Sequence, residues 1–440
     1  MLTQILKNGP ILLAALPFLV NAQPPDIPKP AYIPPVCEGR PIIQASQSEA
    51  VKPPARVPNR PLSKGQQLAL FHKLSNTIET TYLDPDFNGR YWPRVVGPIR
   101  EKIEDGLNTD AFYREITDLV DSLGDDHSYF LSPAQVAELN DVGAGENNLV
   151  GLGVFTRPIA SSKMVSIVGV IPDSPAERNG LKMHDRIIDV DGMPLVEKGL
   201  VHLYKTFGPE CSSAVFTVQT PGEPARIISI VRYRVSSPLP VVARLVPTRD
   251  GSRIGYVFIP SFLDETVPDQ LKKALDSLGE LDGLVIDNRM NGGGTSSVLA
   301  ATLGFFTSGK VGHFVSRNGR RPLEISAKPV RNSQNVPLVV LIGKDTASYA
   351  EVFSGVLQDL GRAKMVGQTS RGNVETLHPH TFGDGSRAYL AQERFEPIRS
   401  KIDWEKRGVK PDVEAHAEWD TFTFENDPGI AAALRSLKSK

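Results

Sequence analysis

Ser348 stands where the apolar run "VPLVVLIG" (residues 336–343) passes through "KDTA" into "SYAEVFSGVLQDLG", whose apolar residues recur at helical spacing. A serine at such a strand-to-helix turn exposes its hydroxyl. The first amides of the helix, at the positive end of its dipole, would face any anion forming beside it. The same residues also spell a helix cap, Ser348-x-x-Glu351, which needs no chemistry at all. A second stretch, "DNRMNGGG" (residues 287–294), follows the apolar "GLVI" and puts a run of glycines at a strand end. Amides freed of side-chain bulk there could hold an oxyanion. A phosphate-cradling loop would need a lysine that does not follow, and a plain structural turn is the remaining reading. His378 and His380, in "LHPH", have the spacing of a metal pair, but no cysteine or carboxylate pattern completes a site. No metal and no cofactor is expected.

These residues need elements to hold them. From about residue 236 to 425 short apolar runs alternate with helical spacing, which argues for a mostly parallel sheet covered by helices, with sites gathered at the carboxyl ends of the strands. Residues 426–440 read as a terminal helix or tail. Earlier, residues 63–141 carry helical periodicity (Leu68, Phe71, Leu74 and Ile78 on one face, then "DAFYREITDLVDSLG"), and residues 142–235 turn to short β-branched runs with glycine turns. Residues 23–62 are proline-rich and read as an extended arm. At the start, Lys7, the short apolar run "ILLAALPFLV" and "VNA" before Gln23 read as a secretory signal peptide cleaved after Ala22. An oxidising destination would permit Cys37 and Cys211 to pair; two free thiols are equally compatible with the sequence. The chain is 40% apolar and 22% charged with a formal net charge of -1, so composition gives no reason to expect nucleic acid or an anionic membrane as partner.

Two resemblances sharpen this. "PAERNG" followed by "DRIIDVDG" resembles a PDZ domain, in which "GLGV" would be the carboxylate-binding loop. That implies Leu152, Gly153 and Val154 as peptide-binding residues, the peptide adding a strand to the sheet edge. Beyond it, "DFNGRYW", "DDHSYFLSP", "DNRMNGGG", "TASYAEVFSGVLQDLGRA" with "VGQTSRGN", and "GVKPDV" occur in the order found in carboxyl-terminal processing peptidases, with tricorn-type peptidases as more distant kin. The resemblance implies Ser348 as nucleophile and the amides of Tyr349 and Gly293 as oxyanion donors.

It also exposes a departure. The position of the family's usual base lysine is occupied by Asn373, and an amide accepts no proton near neutral pH. Similarity to the tricorn-type branch, which uses serine, histidine and glutamate, implies His127 as base and Glu405 as the acceptor that orients it, with Glu375 as a rival. The implied fold is multidomain α/β: a helical N-terminal domain, a β-rich PDZ domain and an α/β peptidase core of the ClpP/crotonase-like type. The implied function is an exported serine endopeptidase, periplasmic or extracellular, that captures a protein or peptide by its C-terminus. It would have no integral membrane segment after signal cleavage. The alternative is a noncatalytic peptide- or ligand-binding relative.

Overall fold

The structure, a computed structural model, describes residues 28–44, 58–137, 150–159, 164–197, 200–235 and 239–438. The expected signal peptide lies outside the described residues, as do residues 45–57 of the proline-rich arm. Among the described residues no helix is long and apolar enough to cross a membrane.

The central sheet adds its strands in chain order: Val242–Val246, Ile254–Phe258, Gly283–Asp287, Leu338–Ile342, Lys364–Gly367 and Val413–Glu414. The first pairs antiparallel with its neighbour and the remainder are parallel. Three of these strands are buried along their whole length, which is why they read as continuous apolar runs and not as alternating ones. Leu284, Ile286 and Val340 face the helices Val267–Leu278, Ser296–Leu303 and Tyr349–Asp359. Val285, Val339 and Leu341 face the helix Pro428–Lys438 and the segment carrying Trp419 and Phe422.

The N-terminal helices, Lys64–Thr81, Trp92–Asp105 and Thr109–Asp121, do not enclose a core of their own. Phe71, Leu74, Ile78, Phe112 and Ile116 pack together with Ala388, Leu390 and Ala391 of the long strand Arg387–Pro397. The chain leaving the third helix supplies the short strand Tyr129–Leu131, which pairs antiparallel with that strand through Tyr129 and Tyr389. This pairing carries His127 from the N-terminal part of the chain into the C-terminal part.

A separate β-rich unit orders its strands as Ile43–Gln44, Ser212–Gln219, Arg186–Val190, Met164–Val170 and Val154–Ile159, around a core that includes Ile167, Ile187 and Phe216. Its first strand comes from the proline-rich arm, and Cys37 is disulfide-bonded to Cys211. The described part of the arm is therefore fastened to this unit, and the question the sequence left open is answered by pairing. A crosslink across a sequence separation of 174 removes much freedom from the unfolded chain. Replacing both cysteines by serine should lower the unfolding free energy of this unit by about 2–4 kcal/mol. It should also open residues 28–44 to limited proteolysis; unchanged denaturation midpoints would mean that packing alone holds the arm.

Candidate active site

Two neighbouring parallel strands end side by side, Asp287 opposite Leu341, so the loops that follow them meet above the sheet. The bonds between the loops are specific. Asn288 Nδ2 donates to Ala350 O (3.0 Å) and Ser354 Oγ (2.9 Å), Thr346 Oγ1 donates to Asn288 O (2.8 Å), and Ala347 N donates to Asn291 O (3.1 Å). Below them Arg289, largely buried, bridges Asp287 (2.6 Å) and Asp427 (2.5 Å), while Tyr256 donates to Asp287 (2.7 Å). Burial pushes the Asp287 carboxyl up, yet Arg289 and Tyr256 hold it below the ordinary carboxylate range.

Ser348 sits at the elbow with φ 54° and ψ −131°, a conformation that costs about 1–3 kcal/mol in a residue with a side chain. Its N–H donates to Asn373 O (2.7 Å) and to Glu351 Oε2 (3.0 Å). Glu351 has no exposed surface and accepts three further bonds, from Asn373 N (2.9 Å), Gly372 N (2.6 Å) and Ser370 Oγ (2.6 Å). Its carboxylate does more than cap the helix that begins at Tyr349: it holds residues 370–373 against the elbow. Asn373, standing where the family resemblance expects a lysine, meets Ser348 through its backbone.

Gly293 closes the other side. A Cβ there would fall 2.7 Å from Ser348 Cβ and 3.0 Å from Tyr349 N, so only glycine leaves the gap between loop and serine open. The N–H of Gly293 donates to Asn291 Oδ1 (2.9 Å), an occupied state that differs from the free oxyanion donor the sequence suggests. Tyr349 opens its helix, so its N–H is among those without an intrahelical acceptor.

His127 and Glu405, 278 residues apart, meet at Nε2 to Oε1 (3.2 Å). Asp125 Oδ1 accepts the N–H groups of His127 and Ser128 and so shapes the turn that presents the ring. Burial opposes charging of the imidazole, but the hydrogen bond and charge of Glu405, with Glu375 and Asp125 behind it, hold it above 6.5. The second oxygen of Glu405 accepts Val374 N (2.9 Å). Glu405 is thus anchored one residue beyond Asn373, whose carbonyl holds Ser348. His127 makes no direct hydrogen bond to Ser348 in this structure. Glu375 is not bonded to His127, and its Oε2 is buried without a partner. Burial, reinforced by Glu405 and Asp125, pushes its carboxyl up to about 7, against the pull of His127 and Lys406.

The remaining residues singled out by sequence lie elsewhere. Leu152 and Gly153 form the turn before Val154, and their carbonyls accept Ala176 N and Ile171 N. Val154–Ile159 is the last strand of its sheet among the described residues, and its Arg157 Nη2 lies 3.7 Å from where a Gly292 Cβ would be. The edge strand therefore borders the glycine loop. His378 pairs with Glu393 (3.1 Å), and no group able to hold a metal occurs among the described residues. Sequence reasoning missed the wider role of Glu351 and the Asp287–Arg289–Asp427 cluster; the signal was there only as charged residues adjoining apolar runs.

The model of peptidase family S41 matches residues 253–415. The C-terminal processing peptidase, chloroplastic, of Tetradesmus obliquus is 29% identical over 366 residues, covering 79% of this chain and 77% of that protein. The structure of the photosystem II D1 C-terminal processing protease superposes with TM-score 0.57 at 25% identity, covering 86% of this chain and 98% of the other. The tricorn protease shares the fold at TM-score 0.51 and 17% identity, over 85% of this chain and 36% of its own.

Two expectations follow. Gly293→Ala should force the glycine loop away from the elbow, since the added Cβ meets Ser348 Cβ at 2.7 Å and Ala347 O at 2.9 Å at a φ of 93°. It should slow labelling of Ser348 by a fluorophosphonate by roughly 100-fold or more while far-ultraviolet circular dichroism stays that of the parent. Glu375 binds its proton more tightly folded than unfolded, so its stabilising contribution is full below about 4.5 and is lost as pH rises through about 7. Glu375→Gln should therefore match the parent in thermal unfolding at pH 4 and exceed it by roughly 1–3 kcal/mol at pH 8. An equal difference at both values would assign the effect to packing.

Proposed function

From a chain that carries a peptidase family S41 domain and is related to the carboxyl-terminal processing serine peptidases, we propose an exported endopeptidase for unfolded or C-terminally recognised proteins, acting through an acyl-enzyme at Ser348. The observation that carries this reading is the strained elbow, held by residues 370–373 while Glu405, bonded to His127, anchors at the next residue, Val374.

In this mechanism His127 accepts the Ser348 hydroxyl proton as Oγ attacks the scissile carbonyl. Because Nε2 is engaged by Glu405, Nδ1 is the nitrogen that serves in this ring orientation. Glu405 stabilises the imidazolium, and the proton passes to the departing amine. Water then releases the acyl group by the same route. The oxyanion is received by the Tyr349 amide and by Gly293 once its N–H turns from Asn291 Oδ1. The occupied Gly293 amide and the unjoined His127 and Ser348 make this conformation a resting state, which substrate binding completes. The β-rich unit acts as a PDZ module: a substrate C-terminus at Leu152, Gly153 and Val154 extends the edge strand, and the chain runs along Val154–Ile159 towards the glycine loop.

Degradation of casein by the chain without residues 1–22 tests the reading. Ser348→Ala and His127→Ala should each lose about 1,000-fold or more of kcat/KM. For the parent, kcat/KM should rise through an apparent pKa above 6.5, since the base must be neutral and its surroundings favour the charged ring. Activity surviving in His127→Ala but not in Ser348→Ala would move the base elsewhere. No cleavage by the parent would favour the noncatalytic binding reading.

A further inference from the structure

His184 lies on the β-rich unit, away from Ser348, and is 4% exposed. Its ring is enclosed by a different part of the chain. Nδ1 donates to Trp419 O (2.8 Å), and the ring centroid lies 4.2 Å from that of Trp419 and 4.7 Å from that of Phe422. The contact continues in both directions along the strap of residues 415–424. Trp419 Nε1 donates to Ile167 O (3.1 Å) and Arg186 pairs with Asp420 (2.9 Å), which fasten the strap to the β-rich unit. On the far side, Trp419 and Phe422 each lie 5.2 Å from the guanidinium of Arg289, the buried cation of the glycine loop. The two rings are thus shared between an imidazole on one unit and a cation on the other.

That arrangement has room for one positive charge. With Nδ1–H committed to the Trp419 carbonyl, a second proton would enter at Nε2, inside a closed apolar site whose aromatic faces already serve Arg289. The groups facing the ring are Arg289, which repels a cation, and Asp427 and Asp287, both already paired with Arg289. On its own turn Asp185 is paired with Arg226 (2.9 Å). We infer that His184, kept as a neutral imidazole, is a positioning residue for the glycine loop: it docks the β-rich unit on the strap and, through Trp419 and Phe422, keeps Arg289 in place. The inference deepens the peptidase reading, for which the loop supplies an oxyanion donor.

The consequence is an acid limit. Burial pushes the docked ring down to about 4, Arg289 adds to this, and the Trp419 carbonyl and the two aspartates oppose it. A released ring titrates near 6.5. Docking is therefore unaffected above pH 6.5, weakens about tenfold per pH unit below it, and levels off near 4.

Hydrogen exchange on the full chain bearing Ser348→Ala reads this without relying on turnover, so failure of the peptidase reading and failure of this one are separable. After correction for intrinsic rates, opening of strap amides 415–424 and of loop amides 288–294 should increase about fifteenfold from pH 6.5 to pH 5. His184→Asn keeps a donor near the Trp419 carbonyl, suits the positive φ of 76° and does not titrate, so in that variant the increase should vanish at both places. An equal increase in His184→Asn, or none in the parent, would overturn the inference. A response in the strap without one in the loop would remove the positioning role. Should His184→Asn not fold, NMR titration of the parent decides: an imidazole pKa below 5 supports the assignment, and one above 6 rejects it.

Discussion

One carboxylate, that of Glu351, sets the geometry around which the site is arranged. Taking an ionised carboxylate out of water costs several kcal/mol, and that cost is met only if every oxygen lone pair finds a well-placed donor. Glu351 finds four, and they belong to the elbow and to residues 370–373. Burial still pushes its carboxyl above the ordinary range, so the donors do not fully offset desolvation. The demand for donors is what fixes the elbow: a strained Ser348 and a segment with little regular structure are locked together because neither can move without leaving a buried oxygen unsatisfied. The strain at Ser348 is stored locally and borne by that network.

The Asp287–Arg289–Asp427 cluster plays a parallel part below the glycine loop. Removing any one member would leave an uncompensated charge in the core, which is far costlier than the intact cluster. Together the two buried networks explain how glycine-rich and irregular backbone can be held in one conformation. The rigidity comes from the charged groups beneath the loops and the elements that carry them.

Much of this was legible in the sequence. The continuous apolar strands, the glycine run at a strand end and Ser348 at a strand-to-helix turn are local patterns, and local physics decides them. The antiparallel Val242–Val246 strand and the helix Trp92–Asp105, which contains Pro98, were not read from pattern. A proline within a helix argues against it locally; Trp92, Ile99 and Ile103 are buried nonetheless, and their packing prevails. Glu351 was legible as a cap and not as an anchor, because three of its four bonds go to residues 19–22 positions on. The Cys37–Cys211 bond and the strap over Arg289 were beyond reach for the same reason: side chains far apart in sequence meet only once the sheets exist.

The strand Tyr129–Leu131 deserves its place beside Arg387–Pro397 for a reason of timing. His127 and Glu405 meet only because a strand made early in the chain pairs with one made late. During synthesis from the N-terminus, a growing chain would expose the finished N-terminal helices, and later even the elbow serine, long before the segment that carries Glu405 has emerged. No chain that stops short of Glu405 can assemble the His127–Glu405 pair. The topology itself delays that pairing until the late strand and the segment after it have been made.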